Sequence, residues 1–155
     1  MAIDDRLREL GIELPKAAAP AANYVPFVME NGLLHIAGQI TFTADGSLVK
    51  GRLGDGMSVE EGQAAARLCG LNLIAQVKAA LGSLDRVTRI VKLGVFVNST
   101  ADFTDQPEVA NGASNLMVEV FGDSGRHARS AVGVASLPRG VAVEVDGIVA
   151  YTDAG

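Results

Sequence analysis

One arginine near the end of the chain stands in a pattern suited to binding a small anion. Arg129 opens an apolar run in which Ala131, Gly133 and Ala135 recur at every second position. In a β-strand these residues share one face with the arginine. A guanidinium presents parallel N–H donors that match the oxygens of a carboxylate or phosphate. An arginine at a strand end is usually solvated. Here the small residues on the same face predict an unfilled space beside the arginine, in which a small anion could bind.

A carboxylate, Glu144, lies in the next apolar run, beyond a Leu-Pro-Arg-Gly turn. The two runs, residues 129–136 and 141–151, predict a closing β-hairpin. Its expected register puts Arg129 and Glu144 on one face but roughly 13 Å apart, at ~3.3 Å per residue. One site could use both groups only if a ligand and water spanned them, or if a neighbouring subunit supplied one. The structural alternative is that Glu144 is an edge charge or part of an interface ion pair.

Turn signals and hydrophobic periodicity predict the elements that position these residues. Ser58 and Glu61 form a capping box, and apolar residues at three- and four-residue steps extend the helix behind it to Gly82. In chain order we predict a helix at 4–10, a connector at 16–22, strands at 24–29 and 33–41, a loop at 44–56, a helix at 58–82, a strand at 87–98, a helix at 106–121 and the hairpin. This order predicts one two-layer α+β domain over residues 1–155, with residues 1–18 as an N-terminal extension and both long helices on one face of a mixed sheet.

The other face of that sheet has no predicted cover. Hydrophobic residues make up 48% of the chain, its mean hydropathy is +0.26, and the last two strands look apolar on both sides. Exposed apolar area of this kind favours association, and soluble assemblies of identical chains are mostly closed and symmetric. We therefore expect a homo-oligomer that packs through its sheets.

Composition and charge argue against several classes of protein. The net charge of −5 and a pI near 4.9 disfavour nucleic-acid binding, which needs clustered lysine and arginine. Two histidines and one cysteine do not supply zinc-ligand spacing. Cys69 lies within a helical apolar pattern, which predicts a buried, inert thiol and fits a reducing compartment. Neither a signal-peptide pattern nor an apolar stretch of membrane-spanning length is present, so we expect a cytoplasmic protein with no membrane partner.

Several segments together resemble the reactive intermediate deaminase family, known as RidA or YjgF. The most specific segment is Ala-Arg-Ser-x-Val-x-Val-Ala-x-Leu-Pro, here residues 128–138, followed by Val143-Glu144-Val145. Ala-Gly-Gln-Ile at residues 37–40 adds to the resemblance, which extends over roughly residues 19–151. The N-terminal segment and the helix from Asn111 are typical of a less-studied branch.

The resemblance implies a chorismate-mutase-like fold, a homotrimer with ligand clefts between subunits, and chemistry without a metal or cofactor. Members with the arginine hydrolyse 2-imino or enamine acids, such as 2-aminoacrylate released by pyridoxal-phosphate dehydratases, to 2-keto acids and ammonia. By position, Arg129 would hold the substrate carboxylate and Glu144 would orient or activate the water. The backbone N–H of Gly38 would be a second carboxylate contact, Tyr24 an aromatic lid from the adjacent subunit, and Asn111 a polar residue of the cleft.

Three positions depart from the better-known members of that family. Ala131 stands where they carry a cysteine in the substrate site, Gly133 where they carry a glutamate, and Ala37 where a serine is common. These departures leave the preferred imino acid open and make catalysis itself a point to test. One alternative is a trimeric protein that binds small 2-keto acids without turning them over, for which Arg129 and Gly38 would suffice. Another is an endoribonuclease, which fits poorly with an acidic chain.

Overall fold

A five-stranded mixed sheet carries two long helices on one face. The computed structural model describes residues 1–19 and 22–153. Its helices are α1 (Ile3–Glu9), α2 (Val59–Leu81) and α3 (Gln106–Phe121), and its strands are β1 (Phe27–Glu30), β2 (Leu33–Gln39), β3 (Arg52–Leu53), β4 (Gly56–Met57), β5 (Val87–Asn98), β6 (Ala128–Val134) and β7 (Val143–Tyr151). The main sheet has the order β1-β2-β7-β5-β6. β3 pairs with β4 separately, at the end of the segment predicted to be a loop. The predicted α+β class is confirmed, with both long helices on one side of the sheet.

Local signals set several element boundaries as the sequence indicates. At the start of α2, the Ser58 hydroxyl oxygen accepts the Glu61 N–H at 3.1 Å, and a Glu61 carboxylate oxygen accepts the Ser58 N–H at 3.0 Å. Asn31 and Gly32, at φ 52° and 77°, form the two-residue turn between β1 and β2. The first strand begins at residue 27 rather than 24, directly after Pro26, which has no N–H to give to the ladder.

The N-terminal extension packs on the helical layer. Leu7 of α1 is buried, and α1 contacts α3. Further along, the Gln76 side chain donates a hydrogen bond to the Ala18 carbonyl oxygen at 2.8 Å. The predicted connector at 16–22 has no helix or strand where it is described, and its residues 20 and 21 lie outside the described residues.

The predicted closing hairpin is wrong. β6 pairs with β5 in parallel and forms an edge of the sheet, whereas β7 lies between β2 and β5 and is antiparallel to both. The 12-residue β5 is paired along both of its edges, so it separates the two strands that are consecutive in sequence. Between them the chain leaves the sheet edge through a short 3-10 turn at Pro138–Gly140, in which Arg139 (φ 60°) and Gly140 (φ 74°) have left-handed backbone angles.

The two faces of the sheet differ in character. One face packs against α2 and α3, and its central side chains, such as Leu93, Val95 and Val145, are buried. No helix of residues 1–19 and 22–153 covers the other face. That face is less apolar than expected, because β7 places two half-buried carboxylates, Glu144 and Asp146, near its centre. No helix within the described chain is both long enough and apolar enough to cross a membrane.

Candidate functional site

Arg129 is held from one side by helix α3. Its Nη1 atom donates to the Asn111 side-chain oxygen at 2.9 Å and to the Ser114 hydroxyl oxygen at 3.1 Å. Both acceptors lie three residues apart on α3, so they share one helix face. Asn111, which the resemblance implies to be a polar residue of the cleft, thus lies beside Arg129. Ser114 was not predicted, although its spacing from Asn111 is a signal that could have pointed to it.

The charge of Arg129 is not neutralised within the described part of the chain. Its side chain is half-buried, yet no Asp or Glu oxygen of these residues lies within 4.0 Å of it. Its partners, an amide and a hydroxyl, are uncharged and engage one nitrogen only. A half-buried arginine is usually paired with an anion, because desolvating a charge is costly. The Nε and Nη2 edge therefore has the chemistry of an anion-binding group.

The unfilled space predicted beside Arg129 is occupied by other residues of the protein. Arg129, Ala131 and Gly133 do share a face, but it is the face toward the helices, where Ala131 packs against the core. A Cβ at Gly133 would lie 2.5 Å from the Ser99 hydroxyl and 2.7 Å from the Gln106 amide nitrogen. Gly133 is small because two neighbouring elements approach it, which the strand pattern alone could not reveal.

Glu144 lies in a different place, a cavity of about 440 Å³. Tyr24, Gly38 and Arg139 line the same cavity, so the structure brings together three of the predicted site residues and adds one that was not predicted. A Cβ at Gly38 would clash with the Glu144 carboxyl group, whose Cδ would be 2.9 Å away. The Glu144 carboxylate can therefore keep its present position only if residue 38 is glycine. Among the described residues that line this cavity, Arg139 is the only basic one. It lies in the Pro138–Gly140 turn just before β7.

The pKa of Glu144 is raised, first by burial and then by the negative charge of Asp146. Burial also raises the pKa of Asp146, while the Gly94 N–H and Lys92 act in the opposite direction. A carboxylate whose pKa is raised binds a proton more strongly, which makes it a better general base than an ordinary one. Glu144 therefore has both the position and the chemistry to act on a water molecule in the cavity.

Arg129 and Glu144 do not face each other within one chain. Arg129 is in register with Leu93, on the face toward the helices, whereas Glu144 is in register with Phe96, on the open face. The prediction that they share a face is wrong because it rested on the hairpin. The predicted residues therefore form two groups, Arg129 with Asn111 and Ala131, and Glu144 with Gly38 and Tyr24.

A larger cavity, of about 780 Å³, lies between residues 13–19, the segment at 42–46 and α2. Among the described residues, Glu13 and Lys16 are the only charged ones that line it, and none of the predicted site residues does. No group of three or more His, Cys, Asp or Glu side chains that could hold a metal ion occurs among residues 1–19 and 22–153. The smaller cavity with Glu144 is thus the better candidate for chemistry.

Comparison with known proteins fixes the family. A family model described as "YjgF/chorismate mutase-like, putative endoribonuclease" matches residues 4–144. The chain belongs to the YjgF/RidA family. The chain is 58% identical over 144 residues to protein TCP17 of Trypanosoma cruzi, covering 92% of this chain and 90% of the relative. The recognised family and the chorismate-mutase-like fold are both confirmed.

Solved structures of similar proteins agree in fold. Protein Atu1372 of Agrobacterium tumefaciens, of unknown function, superposes with a TM-score of 0.90 at 48% identity, over 97% of this chain and 92% of its own. TdcF of E. coli, solved with bound serine, superposes with a TM-score of 0.65 at 26% identity, over 90% and 97% of the two chains. The name of the family model and those of the relatives do not agree on an activity.

Proposed function

We propose that this protein hydrolyses 2-imino and enamine acids, such as 2-aminoacrylate, to 2-keto acids and ammonia. The observation that carries the proposal is a half-buried Arg129 that has no acidic partner among the described residues and keeps its Nε and Nη2 edge for a ligand. A planar carboxylate can accept two parallel hydrogen bonds from that edge. Bidentate binding fixes the orientation of the adjacent imine carbon, which lowers the entropic cost of the reaction.

The reaction needs little beyond binding and a positioned water. After protonation, 2-aminoacrylate is a 2-iminium acid, whose imine carbon is already electrophilic. The water oxygen bonds to that carbon while Glu144 accepts one of the water's protons. Glu144 then passes that proton to the nitrogen, and the C–N bond breaks as the hydroxyl oxygen forms the C=O bond. The hydroxyl proton goes to the departing ammonia, so the products are the 2-keto acid and ammonium. Atoms and charge balance without an oxidant, a metal or a cofactor.

The separation of Arg129 from Glu144 supports a cleft shared between subunits. The two residues are on opposite faces of one sheet, so a small ligand cannot touch both within a single chain. In a homotrimer, the arginine of one subunit would meet the Glu144, Gly38 and Tyr24 group of the next. Tyr24 is 52% exposed and Val28 is 50% exposed in the single chain, which fits surfaces that become covered on assembly.

The serine bound to TdcF supports the ligand class. Serine carries a carboxylate and a nitrogen on the adjacent carbon, as a 2-imino acid does. A relative of this fold therefore binds a ligand of the size and charge that we propose here. By contrast, the net charge of −5 gives no support to the ribonuclease activity named in the family description.

The alternative is a trimeric protein that binds 2-keto acids without catalysis. Ammonia and pyruvate release from 2-aminoacrylate, generated in the same vessel by a serine dehydratase, separates the two. The proposal predicts a rate above that of spontaneous hydrolysis which rises in proportion to the concentration of this protein. Pyruvate binding by calorimetry, with no acceleration of hydrolysis, would favour the binding protein instead.

A further inference from the structure

Ser114 lies between Arg129 and His127 in a continuous chain of hydrogen bonds. The Ser114 hydroxyl oxygen is 2.9 Å from His127 Nε2 and 3.1 Å from Arg129 Nη1. The other ring nitrogen of the histidine, Nδ1, is 2.6 Å from the Gly125 carbonyl oxygen. This series of hydrogen bonds thus runs from a backbone carbonyl through an imidazole and a hydroxyl to the guanidinium.

The donors and acceptors in this chain can be assigned from chemistry. A carbonyl oxygen only accepts, so Nδ1 of a neutral His127 carries the ring hydrogen and Nε2 carries a lone pair. Ser114 then donates its single hydrogen to Nε2. The pKa of His127 is lowered, mainly by burial and also by Arg129, although the Gly125 carbonyl opposes this, so the ring is neutral at pH 7.

This assignment determines what Ser114 can do for Arg129. Because its hydrogen is committed to His127, its oxygen faces Arg129 only as an acceptor. The two hydrogens of Nη1 then have two acceptors, the Ser114 hydroxyl and the Asn111 side-chain oxygen. The Nε and Nη2 hydrogens have no acceptor among the described residues. The plane of the guanidinium is therefore fixed before any ligand binds.

The Gly125 end of this series of hydrogen bonds is fixed by close packing. Gly125 is buried, and a Cβ at this position would clash with the Met117 carbonyl oxygen of α3. The turn that carries the Gly125 carbonyl is thereby pressed onto the same helix that carries Ser114. The carbonyl, the imidazole and the hydroxyl consequently keep one relative arrangement.

We propose that Ser114 and His127 are positioning residues that set the orientation of Arg129 for a ligand carboxylate. The inference rests on the proposed function in one respect only, the role of Arg129 as the carboxylate-binding group. Neither residue needs to touch the ligand. Their contribution is preorganisation, which improves affinity by removing the cost of ordering a long side chain when the ligand binds.

Pyruvate binding to the full-length protein, measured by calorimetry, tests the proposal. Ser114→Ala removes the acceptor and should weaken binding about tenfold, the effect of losing one charge-assisted hydrogen bond. Ser114→Thr keeps the hydroxyl and should stay within about twofold. Asn115→Ala, an exposed change on the same turn of α3, is the matched control and should have no effect. The thermal midpoint of Ser114→Ala should not fall, since alanine favours helix.

A double-mutant cycle separates positioning from direct contact. His127→Phe should weaken pyruvate binding by a smaller factor than Ser114→Ala, because the hydroxyl remains but is no longer oriented. The double variant should bind no more weakly than Ser114→Ala alone, since His127 acts through Ser114. Additive losses would mean that His127 acts on the ligand itself and would overturn the inference.

The histidine tautomer is a second, independent readout. Nitrogen NMR of the ligand-free protein should show His127 protonated on Nδ1 at pH 7. A ring protonated on Nε2 would overturn the relay, as would a parent that binds pyruvate with the same affinity as Ser114→Ala. A parent that binds no carboxylate at millimolar concentrations would instead remove the proposed function together with this inference, so the two failures are distinguishable.

Discussion

Arg129 and Glu144 project from opposite faces of one β-sheet. Arg129 lies on the edge strand β6 in register with Leu93, and Glu144 lies two strands away on β7 in register with Phe96. Successive side chains of a strand alternate between faces, so the three-residue offset between Leu93 and Phe96 places the two groups apart. A site that uses both must therefore be completed by a second chain.

Mixed assemblies test whether the site is shared. Arg129→Ala and Glu144→Gln chains should each be inactive alone, yet co-expression should restore activity, because some clefts then combine an intact arginine with an intact glutamate. In a randomly mixed closed ring about a quarter of the clefts are intact, so about a quarter of the parent rate is expected. Light scattering should show particles of three 16.0 kDa chains. No recovery in mixed trimers, or a stable monomer at micromolar concentration, would contradict the shared site.

Gly38→Ala should damage turnover far more than stability. The added Cβ clashes with the Glu144 carboxyl, which can move because it is the end of a flexible side chain. We expect about 1 kcal/mol of lost unfolding free energy and a fall in kcat/KM on the order of 10²-fold, as for other misplaced catalytic groups. In a Glu144→Ala background the same change should cost little further stability. An active Gly38→Ala protein would show that Glu144 need not occupy its present position.

The pH dependence of hydrolysis should report on Glu144. Its pKa lies above its ordinary value of 4.5, owing to burial and to Asp146. If the ionised carboxylate is the base, kcat/KM falls as the pH drops through this raised pKa. Asp146→Asn removes the neighbouring charge and should move that acid limb to lower pH. An acid limb that stays in place in Asp146→Asn would show that Asp146 does not control the titration.

The same pKa shift makes a prediction about stability. Because the pKa of Glu144 is raised in the folded state, its contribution to the free energy of unfolding depends on pH. That contribution is fully present below pH 4.5 and is lost as the pH rises through the folded-state pKa. Glu144→Gln should therefore be at least as resistant to urea as the parent at pH 7.5, with no gain at acid pH. A clear loss of resistance at pH 7.5 would mean that the carboxylate is stabilised by contacts that the single chain does not contain.

Cys69 should be dispensable for activity. Its side chain is fully buried, it donates to the Val143 carbonyl oxygen at 3.3 Å, and burial raises its pKa. A buried thiol of this kind is unreactive, so iodoacetamide should not label the folded protein. Cys69→Ala should keep the hydrolysis rate within about threefold and lose stability by about 1 kcal/mol, through the small cavity it leaves. Inactivation of a folded Cys69→Ala protein would give the thiol a role that its burial argues against.

The sequence predicts the locally determined parts of the fold but not the pairing of distant strands. Ser58, Glu61, Asn31 and Gly32 act locally, so the sequence predicts the helix start and the hairpin turn correctly. The partner of β6 is not a local property, because the 12-residue β5 can pair along both edges, and this led to the wrong hairpin.

The candidate site shows the same division between local and distant effects. Arg129, Glu144 and Gly38 are identified by segments similar to a known family. The contacts that decide their surroundings come from residues far away in sequence. Ser99 and Gln106 fill the space beside Gly133, and Ser114 reaches Arg129 across 15 positions. Only the folded chain brings such groups together.

The most direct test of the central claim is the hydrolysis of freshly generated 2-aminoacrylate by the Arg129 variants. The parent should release ammonia and pyruvate well above the spontaneous rate. Arg129→Lys keeps the charge but loses the planar set of N–H donors, and Arg129→Ala loses both. The hydrolysis rate of each variant should therefore fall on the order of 10²-fold or more while the protein remains assembled. An Arg129→Ala protein that stays assembled and hydrolyses 2-aminoacrylate as fast as the parent would contradict the mechanism.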